Sequence, residues 1–214
     1  MHDFRIACTP LPRFWRVAWV TMRALGVCLS IAFANALSAP SESCKLRQML
    51  PRDVDQVASL CVEAFVPLDW WQVVEKSGAV GDYRRKLGGR MMSPEPGHAM
   101  VVAEQQERVV GFVEIGLLPA PPGSRWREDV SSDATVPEVP YLGNLVVAPA
   151  LRRRGVAKSL VRFAEAWAQR RLTQDALCAV VECDNADAQK FYGSLGYAAL
   201  PENRGRLYYT KDLA

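Results

Sequence analysis

The chain has 214 residues, of which 50% are hydrophobic and 23% are charged, and its formal net charge is +3. This length suits one globular domain with an appended segment. The small net charge argues against a nucleic-acid partner, because such proteins usually carry a marked excess of lysine and arginine. The sequence has two histidines and no C-x-x-C pair, which excludes H-E-x-x-H and paired-cysteine metal sites, so no metal cofactor is expected.

Residues 1–43 differ in character from the rest of the chain. Arginines precede an apolar stretch over residues 24–32, and no acidic residue lies between Asp3 and Glu42. This stretch is too short to span a bilayer but fits the core of a signal peptide, with small residues before Phe33 as a cleavage site. The Ala-Phe junction resembles those in the two-part presequences of algae with complex plastids.

We therefore predict a cleaved plastid presequence over residues 1–43. A mitochondrial or secretory presequence, or a first core helix, remains the alternative. Residues 44–214 are expected to form the functional domain, without stable membrane attachment after processing.

The sequence of the first half of this domain predicts both strands and helices. Residues 45–50 favour a strand, and a helix opens at Pro51-Arg52-Asp53 with apolar side chains at helical spacing: Val54, Val57, Ala58, Cys61 and Phe65. A second helix over 69–87 is expected to be interrupted around Gly78 and Gly81. Trp70 and Trp71 fill a core or groove wall there, or form a substrate platform.

Residues 100–103 and 109–115 predict two strands joined by a polar turn, and the proline-rich stretch 119–140 predicts a long inserted loop. The second half alternates strands at 142–147, 177–181 and 207–210 with helices at 154–170 and 186–195. The apolar stripe of the first of these helices comprises Val156, Leu160, Ala164 and Trp167. Such alternation predicts an α/β class with parallel pairing in this half.

The run from Val146 to Ala157 indicates an anion site. A strand enters a turn, and a helix then starts beside Gly155 and three arginines. A helix start exposes unpaired backbone N–H groups and the positive end of the helix dipole. Glycine lets a diphosphate approach the backbone, and arginine supplies bidentate donors. Alone, the pattern R-x-x-G-x-A also fits an ordinary basic helix start.

A second motif makes the pattern specific. Residues 185–197 read N-x-x-A-x-x-x-Y-x-x-x-G-Y, about 30 residues after the first motif. Together the two stretches resemble the GNAT acetyltransferases, whose acetyl-CoA motif [QR]-x-x-G-x-[GA] is matched by Arg152, Gly155 and Ala157. The resemblance implies a single GNAT-type α/β domain whose mixed central sheet contains a parallel, splayed strand pair flanked by helices.

The resemblance also implies acetyl-CoA as acetyl donor. The pantetheine arm would lie between the splayed strands, along the backbone of Leu145, Val146 and Val147. The diphosphate would rest on the helix start, formed by Arg152, Arg153, Arg154, Gly155, Val156, Ala157 and Lys158. Asn185 would hold the pantetheine arm or the loop beside it.

In such enzymes a neutral amine attacks the thioester directly, so neither Cys178 nor Cys183 is expected to act as a nucleophile. By the same resemblance, Tyr192 contacts the cofactor and protonates the leaving thiolate, and a backbone N–H near Leu145 polarises the carbonyl. The general base stays open between Glu182, at the end of the second splayed strand, and Glu114, placed on the preceding sheet edge. Either is equally consistent with an ordinary solvated or paired carboxylate.

The proline-rich insertion and the run 141–147 look most like the plastid branch of the family, which acetylates protein N-termini and lysines. We therefore expect a protein or peptide amine as acceptor. The alternatives are a small-molecule amine acetyltransferase and a non-catalytic acyl-CoA-binding regulatory domain.

Overall fold

The computed structural model describes residues 44–66, 73–127 and 135–213. Within these ranges the helices are α1 (Val54–Phe65), α2 (Val73–Met92), α3 (Val156–Leu172) and α4 (Ala186–Ser194). The strands are β1 (Lys45–Gln48), β2 (Ala99–Gln105), β3 (Arg108–Pro119), β4 (Glu138–Val147), β5 (Ala176–Glu182), β6 (Ala198–Ala199) and β7 (Arg206–Asp212).

The strands form one mixed sheet in the order β1-β2-β3-β4-β5-β7-β6. Strand β4 runs parallel to β5, whereas the other neighbouring strands are antiparallel. The predicted α/β fold with a mixed sheet is confirmed. The parallel pairing expected throughout the second half is limited to β4 and β5, because β7, which follows α4 and the short strand β6, runs antiparallel beside β5.

Side chains of β2 alternate between two apolar cores, as a buried strand requires. Val101 and Ala103 pack with the buried residues of α3 on one face, and Met100 and Val102 pack with those of α1 on the other. Both faces of the sheet are thus covered by helices. Polar side chains can instead cluster at the ends of the central strands.

An ion pair fixes the start of the domain. The Arg47 guanidinium in β1 donates hydrogen bonds of 2.6 and 2.9 Å to Asp53, which is 2% exposed. Arg47 also binds Glu104 in β2 through its Nε at 2.8 Å. The hydrogen bonds from Arg47 hold the pKa of Asp53 below its ordinary value, although burial acts in the opposite direction.

Several local predictions are corrected. Helix α2 continues through Gly78 and Gly81, where an interruption was expected. Phe65, at the last residue of α1, is 44% exposed and lies outside the core. Trp167 is only half-buried, because Val161 and Ala168 complete the α3 stripe instead.

Other predictions fall outside the described residues or needed smaller changes. Trp70 and Trp71, and the predicted presequence, lie outside the described residues. Strand β6 was not predicted, since two residues are too short for a recognisable alternation. The inserted segment between β3 and β4 contains a short 3-10 turn at Arg125–Arg127.

Candidate active site

The parallel strands β4 and β5 separate within the sheet. They pair only at Tyr141 with Cys178 and at Leu142 with Ala179, although β4 continues to Val147 and β5 to Glu182. Beyond Leu142 the two strand ends diverge. The predicted splay is therefore present, and it leaves backbone groups of β4 facing a gap.

A β-bulge lies at the point where the strands separate. The register of β3 against β4 shifts between Phe112 and Glu114, so that β4 carries one extra residue there. Asn144 adopts a left-handed backbone conformation with φ of +51°. Bulges re-aim backbone and side-chain groups next to functional sites. Here the bulge comprises Asn144 and Leu145, and only Gly143 separates it from the last β4 residue that pairs with β5.

Glu114 is the centre of a polar cluster beneath the bulge. The residue is 8% exposed, and its carboxylate accepts hydrogen bonds from Arg90 Nη1 at 2.6 and 2.7 Å. His98 Nε2 and Asn144 Nδ2 each donate to it at 2.6 Å. Burial raises the pKa of Glu114, but the donors from His98, Arg90 and Asn144 outweigh burial and hold the pKa below its ordinary value.

The predicted position of Glu114 on a sheet edge is wrong. Strand β3 is paired on both sides, with β2 and β4, and Glu114 lies opposite Met100 and Gly143. The sequence of an apolar strand does not reveal how many other strands pair with it. A strand inside the sheet therefore cannot be distinguished from an edge strand by sequence alone. The carboxylate therefore lies inside the sheet, surrounded by donors.

Glu182 and Glu114 line the same cavity of about 520 Å³, together with Arg90, His98 and Asn144. Glu182 is the last residue of β5, as predicted, and its side chain is 62% exposed. Arg206 Nε lies 3.3 Å from its carboxylate. The structure thus brings both candidate bases to one chamber at the splay. Glu114 is buried and held by three donor side chains, whereas Glu182 lies near solvent.

The start of α3 forms a second, smaller cavity of about 210 Å³. Its lining includes Val147, predicted to contact the pantetheine arm, and most of the residues predicted at the diphosphate: Arg152, Arg153, Gly155, Val156, Ala157 and Lys158. Leu151 and Phe191 complete it. Gly155 is the N-cap of α3 with φ of +86°, and a Cβ added there would meet no atom within 4 Å. The helix start is therefore open to a ligand, as an anion site requires.

The remaining predicted cofactor residues are not part of the lining of this cavity. Arg154 is exposed at the helix start, Val146 is buried in the core beneath α1, and Leu145 is half-buried. Arg152 Nε donates to the Val147 carbonyl at 3.2 Å, which ties the loop to the strand end. Asn185 is the N-cap of α4, where its Oδ1 accepts a hydrogen bond of 3.0 Å from the Ala188 N–H.

Tyr192, on α4, is 5% exposed and belongs to a cluster of aromatic side chains from α4 and the segments that follow it. Its ring lies 5.3, 5.4 and 5.9 Å, between centroids, from those of Phe191, Tyr197 and Tyr209. Burial raises the pKa of Tyr192, so its phenol stays protonated at neutral pH. Tyr192 is not among the residues that line the two cavities, whereas its neighbour Phe191 lines the smaller one.

Cys178 lies at the splay, where it pairs with Tyr141 across the two strands. Its side chain is fully buried, and burial raises its pKa to about 12. A thiol with this pKa is protonated at neutral pH and is a poor nucleophile. This agrees with a direct transfer that needs no acyl-enzyme.

Sequence reasoning assigned no role to Arg90, His98 and Asn144. One signal was available: Glu114 is the single charged residue in the run Val109–Leu118, and a buried carboxylate requires donors. The register then brings His98, adjacent to Ala99, beside Gly116. Arg90 arrives from α2, and its position depends on helix packing that a sequence does not reveal.

Comparison with known proteins identifies the family. A model of the acetyltransferase (GNAT) family matches residues 65–197. The chain belongs to the GNAT acetyltransferase family. No curated protein sequence matches this GNAT chain.

Solved GNAT structures share its fold at low sequence identity. The PaiA N-acetyltransferase of Thermoplasma acidophilum, in complex with coenzyme A, is 15% identical with a TM-score of 0.59, covering 79% of this chain and 99% of that one. The aminoglycoside 6′-N-acetyltransferase of Acinetobacter haemolyticus is 16% identical, with a TM-score of 0.55 and coverage of 74% and 94%. The ribosomal-protein-alanine N-acetyltransferase of Brucella melitensis is 19% identical, with a TM-score of 0.54 and coverage of 79% and 99%.

No group of three or more histidine, cysteine, aspartate or glutamate side chains in residues 44–66, 73–127 and 135–213 could hold a metal ion. In the same ranges, no helix has both the length and the apolar character needed to cross a bilayer.

Proposed function

We propose that this GNAT domain transfers the acetyl group of acetyl-CoA to a primary amine of a protein or peptide, at an N-terminus or a lysine side chain. The observation that carries the proposal is the continuity of its site. The opening at the start of α3, the splay between β4 and β5, and a chamber lined by two carboxylates follow one another along β4.

The residues present fit acetyl-CoA. The helix start with Gly155 leaves open space where a Cβ would stand, and its backbone N–H groups together with the side chains of Arg153 and Lys158 suit a diphosphate. The β4 backbone from Leu145 to Val147 has no β5 partner and can pair with the amide groups of a pantetheine arm. When bound, acetyl-CoA supplies an activated acetyl group as a thioester.

Each polar group near the splay has a proposed task. The Leu145 N–H, which lies in the bulge, would donate to the carbonyl oxygen of the acetyl group. Glu182, near solvent at the chamber mouth, would accept the amine proton through a water molecule. Glu114 is less suited to that task, because its oxygens already accept bonds from Arg90, His98 and Asn144. Tyr192 would return a proton to the departing thiolate.

The pKa of the acceptor amine determines how far the reaction depends on a general base. An α-amino group titrates at about 7.7–8.0, so a large part is already neutral near pH 8. A lysine side chain, with a pKa of about 10.4, is almost fully protonated at this pH and must lose a proton before it can attack. A solvated carboxylate such as Glu182 suits an α-amino group, which needs less help from a base. We therefore expect N-terminal amines to react faster than lysines.

The shape of the acceptor side supports a peptide over a small amine. The chamber of about 520 Å³ shares Leu118, Tyr141, Val180 and Arg206 with an adjoining cavity of about 460 Å³. A closed pocket would suit a compact amine, whereas two joined cavities suit an extended chain. We further propose that residues 1–43 are a plastid presequence that is removed, which N-terminal sequencing of the mature protein would test.

CoA release tests the proposal directly. The purified full chain is given acetyl-CoA and a panel of peptides with free N-termini, lysine peptides blocked at the N-terminus, polyamines and aminoglycosides. Turnover of peptides with kcat/KM at least tenfold above that for the small amines supports the proposal. Preference for a small amine would assign the domain to small-molecule acetylation, and tight acetyl-CoA binding without any turnover would make it a binding module.

A further inference from the structure

The cavity of about 460 Å³ beside the chamber, called the outer cavity below, carries a positive charge that the transfer reaction does not require. It adjoins the catalytic chamber and is lined by Arg127, Arg204 and Arg206, beside the prolines that follow β3. None of the described residues that line it is acidic. Glu182 is the nearby carboxylate bound to Arg206, so Arg127 and Arg204 carry charge that Glu182 does not balance.

The backbone fixes the positions of these arginines. Arg204 and Gly205 form a two-residue turn with φ of +53° and +79°, and Asn203 and Arg206 exchange backbone hydrogen bonds of 2.9 and 3.1 Å across it. Two left-handed residues are typical of a tight type I′ hairpin turn. A tight turn of this kind holds the bases of both arginine side chains at the rim of the cavity.

Arg127 is held from the opposite side. Its Nε donates to the Ala120 carbonyl at 2.6 Å, and its backbone N–H donates to the Ser124 carbonyl at 2.9 Å. Within the described residues, these bonds leave the terminal nitrogens of the Arg127 guanidinium available to a ligand. Arg204 makes no hydrogen bond or ion pair with any residue of the described ranges, so its guanidinium is available as well.

The passage between chamber and outer cavity has an apolar floor. Leu118 is 51% exposed and Val180 is 37% exposed, and both line the two cavities. Large apolar side chains exposed beside a polar rim are typical of a binding surface. An extended chain crossing them would keep its backbone near the strand ends and reach the arginines beyond.

We propose, resting on the proposed transfer to peptides, that Arg127, Arg204 and Arg206 bind acidic side chains of the acceptor downstream of its reacting amine. Arginine pairs with carboxylates in a bidentate geometry that lysine does not offer. From Asn144 at the splay to Tyr141 at the outer cavity is three residues of β4, or about 10 Å at roughly 3.3 Å per residue. An extended peptide covers that distance in about three residues, which places the acidic side chains at about positions 3–5.

Matched peptides test this assignment. Two peptides share every residue except positions 3–5, which are Asp or Glu in one and Asn or Gln in the other. Wild type should acetylate the acidic peptide with a kcat/KM about three- to tenfold higher, mainly through KM, since partly exposed ion pairs contribute modestly. The difference should shrink at about 0.5 M salt, where screening is strong.

Arg204→Gln should remove most of the preference for the acidic peptide, mainly by raising the KM for that peptide. Arg162→Gln, a matched charge removal on the exposed face of α3, should keep the preference. Equal kcat/KM for the two peptides with wild type, or equal losses in the two variants, would overturn the acidic-acceptor proposal while leaving the transferase intact. Absence of turnover with every peptide would instead refute the proposed function on which it rests.

Discussion

The Asn144 side-chain amide donates a hydrogen bond of 2.6 Å to the Glu114 carboxylate, which ties the bulge in β4 to the neighbouring strand β3. Arg90 extends the same connection to α2 with bonds of 2.6 and 2.7 Å. A left-handed Asn144 needs such support, because this backbone conformation is uncommon outside glycine. Glu114 therefore joins the wall of the acceptor chamber to the segment that presents the Leu145 N–H.

Glu114→Gln should lower kcat/KM about 10- to 100-fold, because each lost hydrogen bond to a charged group is worth about 1.5–3 kcal/mol. The affinity for CoA should be nearly unchanged, since the helix start of α3 is untouched. The acidic limb of the pH–rate profile separates the roles: it persists if Glu114 positions the bulge and disappears if Glu114 is the base. Glu63→Gln, on the exposed side of α1, is the matched control and should behave like wild type.

Tyr192→Phe should lower kcat by roughly 100-fold or more, because general-acid help is worth about 10² to 10⁴. Binding of acetyl-CoA, followed by calorimetry, should be retained, since the ring and its aromatic contacts remain. Tyr209→Phe removes a hydroxyl from the same buried cluster and should leave kcat nearly unchanged. Equal rates for Tyr192→Phe and wild type would exclude Tyr192 as the acid.

Gly155→Ala should weaken CoA binding and lower the melting temperature. The added methyl group meets no atom, but a φ of +86° costs a residue with a Cβ about 1–2 kcal/mol. Gly78→Ala is the contrasting control, because Gly78 is helical, exposed and free of contacts at its Cβ position. That substitution should stabilise the protein by up to about 1 kcal/mol. Equal melting temperatures for the two variants would contradict this account.

Stability should fall in acid because two buried carboxylates have depressed pKa values. Ion pairing lowers the pKa of Asp53, and the pKa of Glu114 is also lowered, despite burial. Both groups therefore contribute stability above their unfolded pKa values of about 3.9–4.3, and this contribution is lost as pH falls through the lower folded values. Urea unfolding between pH 7 and pH 2 measures it. Glu114→Gln should show a shallower decline than wild type, and parallel curves would refute the role of Glu114.

The sequence predicted the parts of this protein that depend on local pattern. The glycine beside three arginines marked the start of α3, and the strand ending at Glu182 was placed correctly. The convergence of Arg90, His98 and Asn144 on Glu114 could not be predicted, because it depends on a one-residue bulge and on how α2 packs across the sheet. Likewise, the burial of Tyr192 among Tyr197 and Tyr209 follows from the return of β7 beside β5.

The two residue pairs that join β4 to β5 have a consequence for the motions of the folded protein. Among the residues that the structure describes, these two pairs are the direct sheet pairing between β1–β4 and the group of β5, β7 and β6. Opening of one half should therefore leave the other half protected, and amide hydrogen exchange should report two cooperative units with different opening free energies. A ligand that hydrogen-bonds to β4 and fills the gap toward β5 would link the units, so saturating CoA should slow exchange in both halves together and raise the cooperativity of unfolding.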